Sequence, residues 1–296
     1  MKRVLTAVVL IPIVLLVLFR APLWLFTLVV GAVAMGAAWE YLKLVDAYGV
    51  KSMKTMLMIV SAVVFVLMAL ANTSGDWAFP ATLGICVAVA SSPFLLLIGA
   101  METETLAQGL PRAAMSFMVI PYVILTMLCL ATLRHAISGL FLILFTFAVV
   151  WSGDICAYYA GRAFGKNKLA PRISPGKTWE GTIASFVGSV FLAHIFFVDN
   201  RQIMEALYRW HLASSPAGLP EMNRHLLLVQ GVATGGCVNV AAQFGDLVES
   251  MLKRGAGVKD SGDILPGHGG ILDRIDALLF ALPIVTLYYI LVRTMY

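Results

Sequence analysis

RIDALLFALPIVTLYYILVR, residues 274–293, is the stretch of this sequence that decides the fold. Apart from Asp276 and the arginine at each end, it carries no charge over its 20 residues. A membrane-spanning helix needs roughly 20 mostly apolar residues, because each residue advances about 1.5 Å and the hydrocarbon layer is about 30 Å thick. This stretch therefore predicts a transmembrane helix.

Eight further stretches have the same length and apolar character. They are residues 4–19, 23–42, 56–72, 79–99, 113–133, 137–160, 180–198 and 225–249. The composition agrees, because 60% of the 296 residues are hydrophobic and 12% are charged, whereas soluble domains carry about 25% charged residues. We predict an all-α polytopic integral membrane protein with about nine transmembrane helices. The first is expected to be a retained helix rather than a signal peptide, since no typical cleavage site follows it.

The lysines and arginines are distributed unevenly between the two ends of these helices. If the N-terminus is cytoplasmic, fifteen of the 21 lie on the cytoplasmic side, as the positive-inside rule requires. The C-terminus is then on the outer side, and the two most basic loops, 161–179 and 250–273, both face the cytoplasm. A basic loop can also reflect topology alone. We expect an N-terminal part, 1–135, with about five helices, and a catalytic part, 136–296, with about four.

Two of the predicted helices carry a polar face near their cytoplasmic ends. The two sets, spaced by three or four residues, are Asp154, Tyr158 and Arg162, and Asn239, Gln243, Asp246 and Ser250. Such spacing places each set on one face of its helix. A carboxylate at membrane depth costs at least about 2.5 kcal/mol on insertion scales and normally faces a bundle interior or a wet cavity. The two faces predict one shared cavity; the alternative is that each acid pairs with a neighbouring helix for structure.

The first basic loop ends in Gly176-Lys177-Thr178, like the end of a P-loop. A P-loop needs a glycine where this chain has Pro171, so that motif is excluded. Lysines and backbone amides near a helix start can still hold phosphate. Thr178 is a predicted N-cap of the seventh transmembrane helix.

The second basic loop combines cations, acids and the run Gly267–Gly270. Magnesium takes carboxylate oxygens and bridges to substrate phosphates, so Asp246 and Asp273 are predicted to supply a metal site from two adjacent helices. The glycines permit close backbone approach to a phosphate. His268 is a candidate general base, a phosphate ligand or a loop-shaping residue. Arg274 is either a topology anchor or, beside two aspartates, a partner of carboxylate or phosphate. Acids for a metal beside bases for phosphates indicate nucleotide phosphate chemistry.

These residues resemble the signature of the phosphatidate cytidylyltransferase family, also called CDP-diacylglycerol synthases. The residues that match in order and spacing are Ser250, Lys253-Arg254, Lys259-Asp260, Pro266-Gly267-His268-Gly269-Gly270, Asp273-Arg274 and Asp276. Further similar residues are Trp151, Asp154, Ala157-Tyr158, Phe164-Gly165-Lys166, Ser174–Thr178 and Gly245-Asp246-Leu247. The resemblance is sharp over about 151–185 and 240–280, and the N-terminal half matches only in being hydrophobic.

The resemblance implies the reaction of CTP with phosphatidate to give CDP-diacylglycerol and pyrophosphate. It also implies a homodimer, dependence on Mg²⁺, and a paired-metal centre that can include K⁺. From the charge bias we expect the active site to face the cytoplasm, and the compact chain suggests a bacterial inner membrane. The family's metal-binding aspartates map to Asp246 and Asp273. The expected catalytic residues are Asp246, Lys259, His268, Asp273 and Arg274. The expected substrate-binding residues are Asp154, Lys166, Ser174, Lys177, Lys253, Arg254, Gly269 and Gly270.

Other function classes explain less of the sequence. An ion transporter accounts for Asp154 and Asp246, but it needs acids across the whole membrane depth and no long phosphate-binding loop. A lipid or polyprenol kinase that uses CTP shares the metal and phosphate chemistry, but it transfers the γ-phosphoryl group and releases CDP. A CDP-alcohol phosphotransferase requires a D-G-x2-A-R motif that the chain lacks. Nucleic acid is not an expected partner.

Overall fold

The computed structural model describes residues 2–73, 75–103, 105–213, 215–216, 218–220, 222–264, 267 and 269–295. Most of these residues are helical. The helices are α1 (Lys2–Arg20), α2 (Leu23–Ala47), α3 (Lys54–Ala71), α4 (Ala78–Ala100), α5 (Leu106–Phe117), α6 (Leu125–His135), α7 (Gly139–Phe164), α8 (Trp179–Val198), α9 (Asn200–Arg209), α10 (Arg224–Gly255) and α11 (Leu272–Met295). A 3-10 turn, Gly75–Trp77, precedes α4, and a π-helical turn, Ile120–Ile124, joins α5 to α6.

The predicted fold class is confirmed. Within the described residues, eight helical spans are long and apolar enough to cross a membrane: α2, α3, α4, the continuous run Leu106–His135, α7, α8, α10 and α11. Each corresponds to one of the predicted stretches. The remaining predicted stretch, 4–19, lies in α1 and is not among these eight spans. The count of nine and the orientation therefore stay predictions.

The structure corrects the predicted loop 161–179. Helix α7 extends to Phe164, and a short antiparallel hairpin follows, made of β1 (Lys168–Ala170) and β2 (Ser174–Thr178). The register pairs Lys168 with Thr178. Proline is tolerated in β2 because both strands of a two-stranded sheet are edges. The predicted N-cap is confirmed, since Thr178 Oγ1 accepts a hydrogen bond from the N–H of Gly181 at 3.2 Å.

The chain folds as two compact units. Unit 1 consists of Met1–Ala131 and Leu252–Arg274, and unit 2 of Thr132–Met251 and Ile275–Tyr296. Most of the predicted loop 250–273, which we assigned to the C-terminal part, therefore belongs to unit 1. The functional division of the chain after residue 135 stays a prediction.

Within unit 1, close helix packing surrounds the middle of α2. Ala34, Ala37 and Ala38 are almost completely buried, and a Cβ on Gly31 would come within 2.8 Å of the Phe65 side chain. Small residues let helix backbones approach closely in a membrane, where packing replaces the hydrophobic effect as the main attraction. The hydroxyl of Tyr48 donates to the carbonyl of Leu252 at 3.0 Å. This bond ties the C-terminal end of α2 to the segment that follows Met251.

Within unit 2, α7 packs along α8. At one end Phe141, Phe145, Phe196 and Phe197 form an aromatic cluster, with ring centroids 5.1–6.4 Å apart. Toward the hairpin, glycines replace the aromatics, and a Cβ on Gly181 would lie 2.9 Å from the carbonyl oxygen of Ala157. The large side chains thus fill one end of the helix pair, while the hairpin end brings the backbones together.

Candidate active site

A cavity of about 550 Å³ lies in unit 2 between the hairpin end of α7, the start of α8 and the second half of α10. Its charged and hydrogen-bonding wall includes Asp154, Tyr158, Arg162, Lys177, Gln243 and Asp246. The polar face predicted for α7 therefore lines the same cavity as Gln243 and Asp246 of the polar face predicted for α10. The hairpin contributes Lys177, because β2 ends beside the N-terminus of α8.

The closest charge contact in this cavity joins Lys177 and Asp246. The ammonium nitrogen lies 2.6 Å from Oδ2, and the two side chains are 25% and 40% exposed. An ion pair with this much exposure contributes only about 0–1 kcal/mol to stability. Either group can therefore be transferred to another ion at small cost. Such a pair suits a surface that binds anions and cations in turn.

The approach of α10 to α11 is set by Gly245, the neighbour of Asp246. A Cβ on Gly245 would lie 3.2 Å from the Cα of Ala277 and in closer conflict with the carbonyl oxygen of Asp276. Only glycine fits this crossing without moving one helix. The Gly-Asp pair thus combines a backbone contact on one side of α10 with a carboxylate on the cavity wall.

Asn239, also on the polar face predicted for α10, joins α10 to α8. Asn239 is 2% exposed, and its Nδ2 donates to Ser185 Oγ at 2.9 Å and Ser189 Oγ at 2.8 Å. Gln243 Nε2 donates to Asn239 Oδ1 at 2.6 Å, which connects this network to the cavity. The predicted cavity is present, but Asn239 belongs to the buried network beside it and does not line it. Its amide satisfies hydroxyl groups buried between helices, where an unpaired polar group would be costly.

A second group of residues, the Asp273 cluster, lies in unit 1. Asp273 is in the first turn of α11, and its side chain is 6% exposed. Oδ1 accepts from Lys253 Nζ at 2.6 Å. Oδ2 accepts from the backbone N–H of Gly270 at 2.8 Å, and from the N–H and hydroxyl of Ser261, each at 3.0 Å. Four donors thus fix this carboxylate in one orientation.

The glycines of the second loop are explained in part by this cluster. Gly269 has a φ of 79°, in the left-handed region that favours glycine. A Cβ there would lie 2.7 Å from Asp273 Oδ2. The backbone therefore approaches a carboxylate of the protein at this position. The predicted approach of this backbone to a phosphate stays a prediction.

Comparison with known proteins decides the family. The model of the Cytidylyltransferase family matches residues 1–292. The chain belongs to the cytidylyltransferase family. It is 34% identical to the phosphatidate cytidylyltransferase of Haemophilus influenzae across 98% of this chain and 99% of the relative. The protein of the same name from Staphylococcus haemolyticus is 36% identical over 78% of each chain, and that from Pseudomonas aeruginosa is 41% identical over 48% and 45%.

The N-terminal helices of this cytidylyltransferase belong to the family as well, since the match begins at residue 1. The signature residues had placed the resemblance only over about 151–185 and 240–280. One residue of the N-terminal half touches the Asp273 cluster directly. Glu40 in α2 is completely buried and accepts hydrogen bonds from Ser261 and from the start of α11. The only indication of Glu40 in the sequence is that it is a single acidic residue within the apolar stretch 23–42.

The other predicted site residues of the cytidylyltransferase have less defined surroundings. Lys166, Lys259 and Arg274 are exposed, and Ser174 is partly buried in β2. Arg254 Nη1 donates to the carbonyl of Val258 at 3.2 Å, beyond the end of α10. His268 lies outside the described residues.

The donor chemistry of the two aspartates differs with respect to magnesium. Mg²⁺ is commonly held by one or two carboxylates, with water and substrate phosphates completing the octahedron. Asp246 fits this pattern, because it is partly exposed on a cavity wall that it shares with Asp154. Asp273 has the right oxygen chemistry, but Oδ1 already holds Lys253, so this lysine has to withdraw before a metal can bind there.

Proposed function

We propose that this cytidylyltransferase transfers the cytidylyl group of CTP to phosphatidate and releases pyrophosphate and CDP-diacylglycerol. The observation that carries the proposal is the similarity over nearly the full length to a protein named phosphatidate cytidylyltransferase. The cavity of unit 2 supports it, because acidic and basic side chains line one space at the end of membrane-length helices. Such a space suits a polar head group whose acyl chains stay in the lipid.

The reaction needs charge neutralisation more than proton transfer. The nucleophile is a phosphate oxygen of phosphatidate, which is already anionic at neutral pH because the second pKa of such a monoester is about 6. It forms a bond to the α-phosphorus of CTP, while the bond from that phosphorus to the bridging oxygen of pyrophosphate breaks. Two polyanions have to meet, so fixed cations that hold the phosphates lower the barrier.

Lys177 is a cation on the wall of this cavity that can serve this purpose. Its ammonium group is held by Asp246, which keeps it oriented without removing it from the cavity surface. Arg162 and Tyr158, joined by a hydrogen bond of 3.3 Å, stand on the α7 side of the same cavity. We assign phosphate binding to Lys177 and, from the family signature, to Lys253, Arg254 and Lys259. Asp154, Lys166 and Ser174 are assigned to substrate binding on the same grounds.

The proposed reaction depends on magnesium, with Asp246 and Asp273 as its protein ligands and a second cation site that can hold K⁺. When bound, the metal neutralises phosphate charge and polarises the α-phosphoryl group. Asp246 would exchange its contact with Lys177 for the metal, and Lys177 would then be available to a phosphate. We also propose a homodimer in the inner membrane with the active site facing the cytoplasm. These points rest on the family resemblance and the charge distribution.

The test uses the purified full-length protein in detergent with phosphatidate, Mg²⁺ and CTP labelled separately on the α- and γ-phosphates. We expect the α-label in lipid and the γ-label in pyrophosphate. The γ-label in lipid would identify a kinase and overturn the proposal. Absence of Mg²⁺-dependent transfer to phosphatidate would overturn it too, and would favour the transporter class.

A further inference from the structure

Glu40 is a buried carboxylate in α2, far in sequence from the family signature. Its side chain has 0% exposure. Oε1 accepts from the backbone N–H of Ile271 at 3.0 Å, and Oε2 accepts from the N–H of Leu272 at 2.8 Å and from the hydroxyl of Ser261 at 3.1 Å. A carboxylate is stable in an apolar helix bundle only when such donors replace the lost water. All of its observed donors come from the segment around Asp273.

These contacts fix the start of α11. The first N–H groups of a helix have no acceptor within the helix, and Leu272 begins α11. Glu40 supplies the missing acceptor from a different helix, in the way that an N-cap side chain does locally. The next residue is Asp273, so the position of its Cα depends directly on this cap.

The same carboxylate orients the side chain of Asp273 through Ser261. Ser261 Oγ lies 3.1 Å from Glu40 Oε2 and 3.0 Å from Asp273 Oδ2, and Ser261 is 5% exposed. One hydroxyl proton is therefore shared between the two carboxylates. Glycine at 262 and 270 is required by the same arrangement, because a Cβ at either position would lie 2.7–2.8 Å from the Glu40 Cδ.

We propose that Glu40 is a positioning residue of the transfer reaction: it holds Ser261 and the start of α11 so that the Asp273 carboxylate keeps one orientation. This inference rests on the proposed function, in which Asp273 takes part. Through Glu40, the N-terminal helix α2 gains a role in the transfer reaction, whereas the sequence signature contains only C-terminal residues.

The central variant is Glu40→Gln, which keeps the shape but presents an NH₂ group to N–H and O–H donors. At least one donor then loses its acceptor. A displacement of about 1 Å in a reacting group can cost about 10²-fold in rate, so we expect kcat per folded enzyme to fall by about 10–10²-fold with little change in KM for phosphatidate. Glu40→Asp keeps the carboxylate and should recover part of kcat. Ser261→Ala should lower kcat in the same way. It tests the same contact if Glu40→Gln does not fold.

Asp46→Asn is the matched control. Asp46 lies in the same helix and accepts from the N–H and the hydroxyl of Ser52 at 2.8 and 2.7 Å and from Lys54. It thus has the same kinds of donor, but none of them comes from the Asp273 cluster. Its loss can lower the melting temperature, but kcat per folded enzyme should stay near that of the wild type.

Amide hydrogen exchange gives a readout that does not depend on turnover. We expect Glu40→Gln to accelerate exchange of the backbone amides of Ser261 and of residues 270–272, and Asp46→Asn to leave those amides protected. Unchanged kcat and exchange in Glu40→Gln, or equal losses of kcat in both variants, would overturn the positioning role. If the wild-type protein transfers no cytidylyl group, the proposed function fails, while the exchange comparison still decides whether Glu40 holds the Asp273 segment.

Discussion

At the scale of single residues, each of the two aspartates predicted to bind metal forms an ion pair with a lysine. Lys177 lies 2.6 Å from Asp246, and Lys253 lies 2.6 Å from Asp273. The two pairs differ in exposure, since the Asp246 side chain is 40% exposed and that of Asp273 is 6% exposed. Breaking the more exposed pair costs little, whereas removing one partner of a buried pair leaves an uncompensated charge. We therefore expect Asp246 to exchange ions more readily than Asp273.

Replacement of Lys177 by methionine should lower kcat/KM for CTP by about 10²-fold, because loss of one preorganised donor to a developing phosphate charge typically costs that much. Initial rates with α-labelled CTP measure the effect. Lys54→Met is the control, since Lys54 also pairs with an aspartate, Asp46, and neither residue lines this cavity. Similar losses in the two variants would show that Lys177 acts through general charge or folding rather than on the nucleotide.

Replacement of Asp246 by asparagine should raise the Mg²⁺ concentration needed for half-maximal rate by at least about tenfold, a loss typical even of residues that only support a metal ligand. The measurement is a Mg²⁺ titration at saturating CTP, with chelation by EDTA expected to abolish turnover. Asp46→Asn is again the control, because Asp46 pairs with Lys54 and does not line the cavity. A wild-type Mg²⁺ dependence in Asp246→Asn would remove this residue from the metal site.

At the scale of elements, α7, α8 and α10 are held together by small residues and hydroxyl groups. Gly153 stands beside Asp154 in α7, and a Cβ on it would lie 2.6 Å from Asn239 Nδ2, 2.7 Å from Ser189 Oγ and 2.8 Å from Ser185 Oγ. The glycine thus makes room for the network that joins α8 to α10. The carboxylate of the next residue then reaches the cavity wall.

Gly153→Ala should therefore destabilise the protein by about 1–3 kcal/mol, the usual cost of overpacking a filled interior. A lower melting temperature in detergent is the expected observation. Gly176→Ala is a suitable control, because no atom lies within 4 Å of a Cβ built there and its φ is not positive. A melting temperature unchanged by Gly153→Ala would mean that the helices can separate at this crossing without penalty.

Sequence predicted the helices well, because bilayer thickness imposes a length and an apolar composition that are visible locally. The hairpin was not predictable in this way, since β1 has three residues and β2 consists of Ser-Pro-Gly-Lys-Thr, with no alternation of apolar and polar positions. Glu40 was missed for a related reason. Its partners Ser261 and Leu272 are more than 200 residues away in sequence, so no local pattern connects them.

At the scale of the whole molecule, the helices expose apolar side chains that water would not tolerate. In α4, Phe79, Phe94 and Ile98 are 60–78% exposed, and only 17% of the apolar stretch of this helix is buried. A soluble protein rarely leaves such a continuous apolar surface uncovered. Hydrocarbon chains of a membrane are the natural surroundings of this surface, and they also give phosphatidate direct access to the protein.

The charge distribution predicts which ends of the helices face the cytoplasm, and unit 2 offers a sharp test. Helix α8 separates the hairpin from α9 by 20 residues, or about 30 Å, which is one hydrocarbon thickness. After replacement of Cys86, Cys129, Cys156 and Cys237, with activity retained, Lys168→Cys and Arg209→Cys place one thiol at each end. Both positions are exposed.

We expect a membrane-impermeable maleimide to label Arg209→Cys in sealed right-side-out vesicles, and Lys168→Cys only after the vesicles are opened, because the basic hairpin should face the cytoplasm. The opposite pattern would reverse the predicted orientation and place the Lys177–Asp246 cavity on the outer side, away from cytoplasmic CTP. Labelling of both thiols in sealed vesicles would show that α8 does not cross the membrane. The experiment thus links the charge bias of the sequence to the access of the nucleotide.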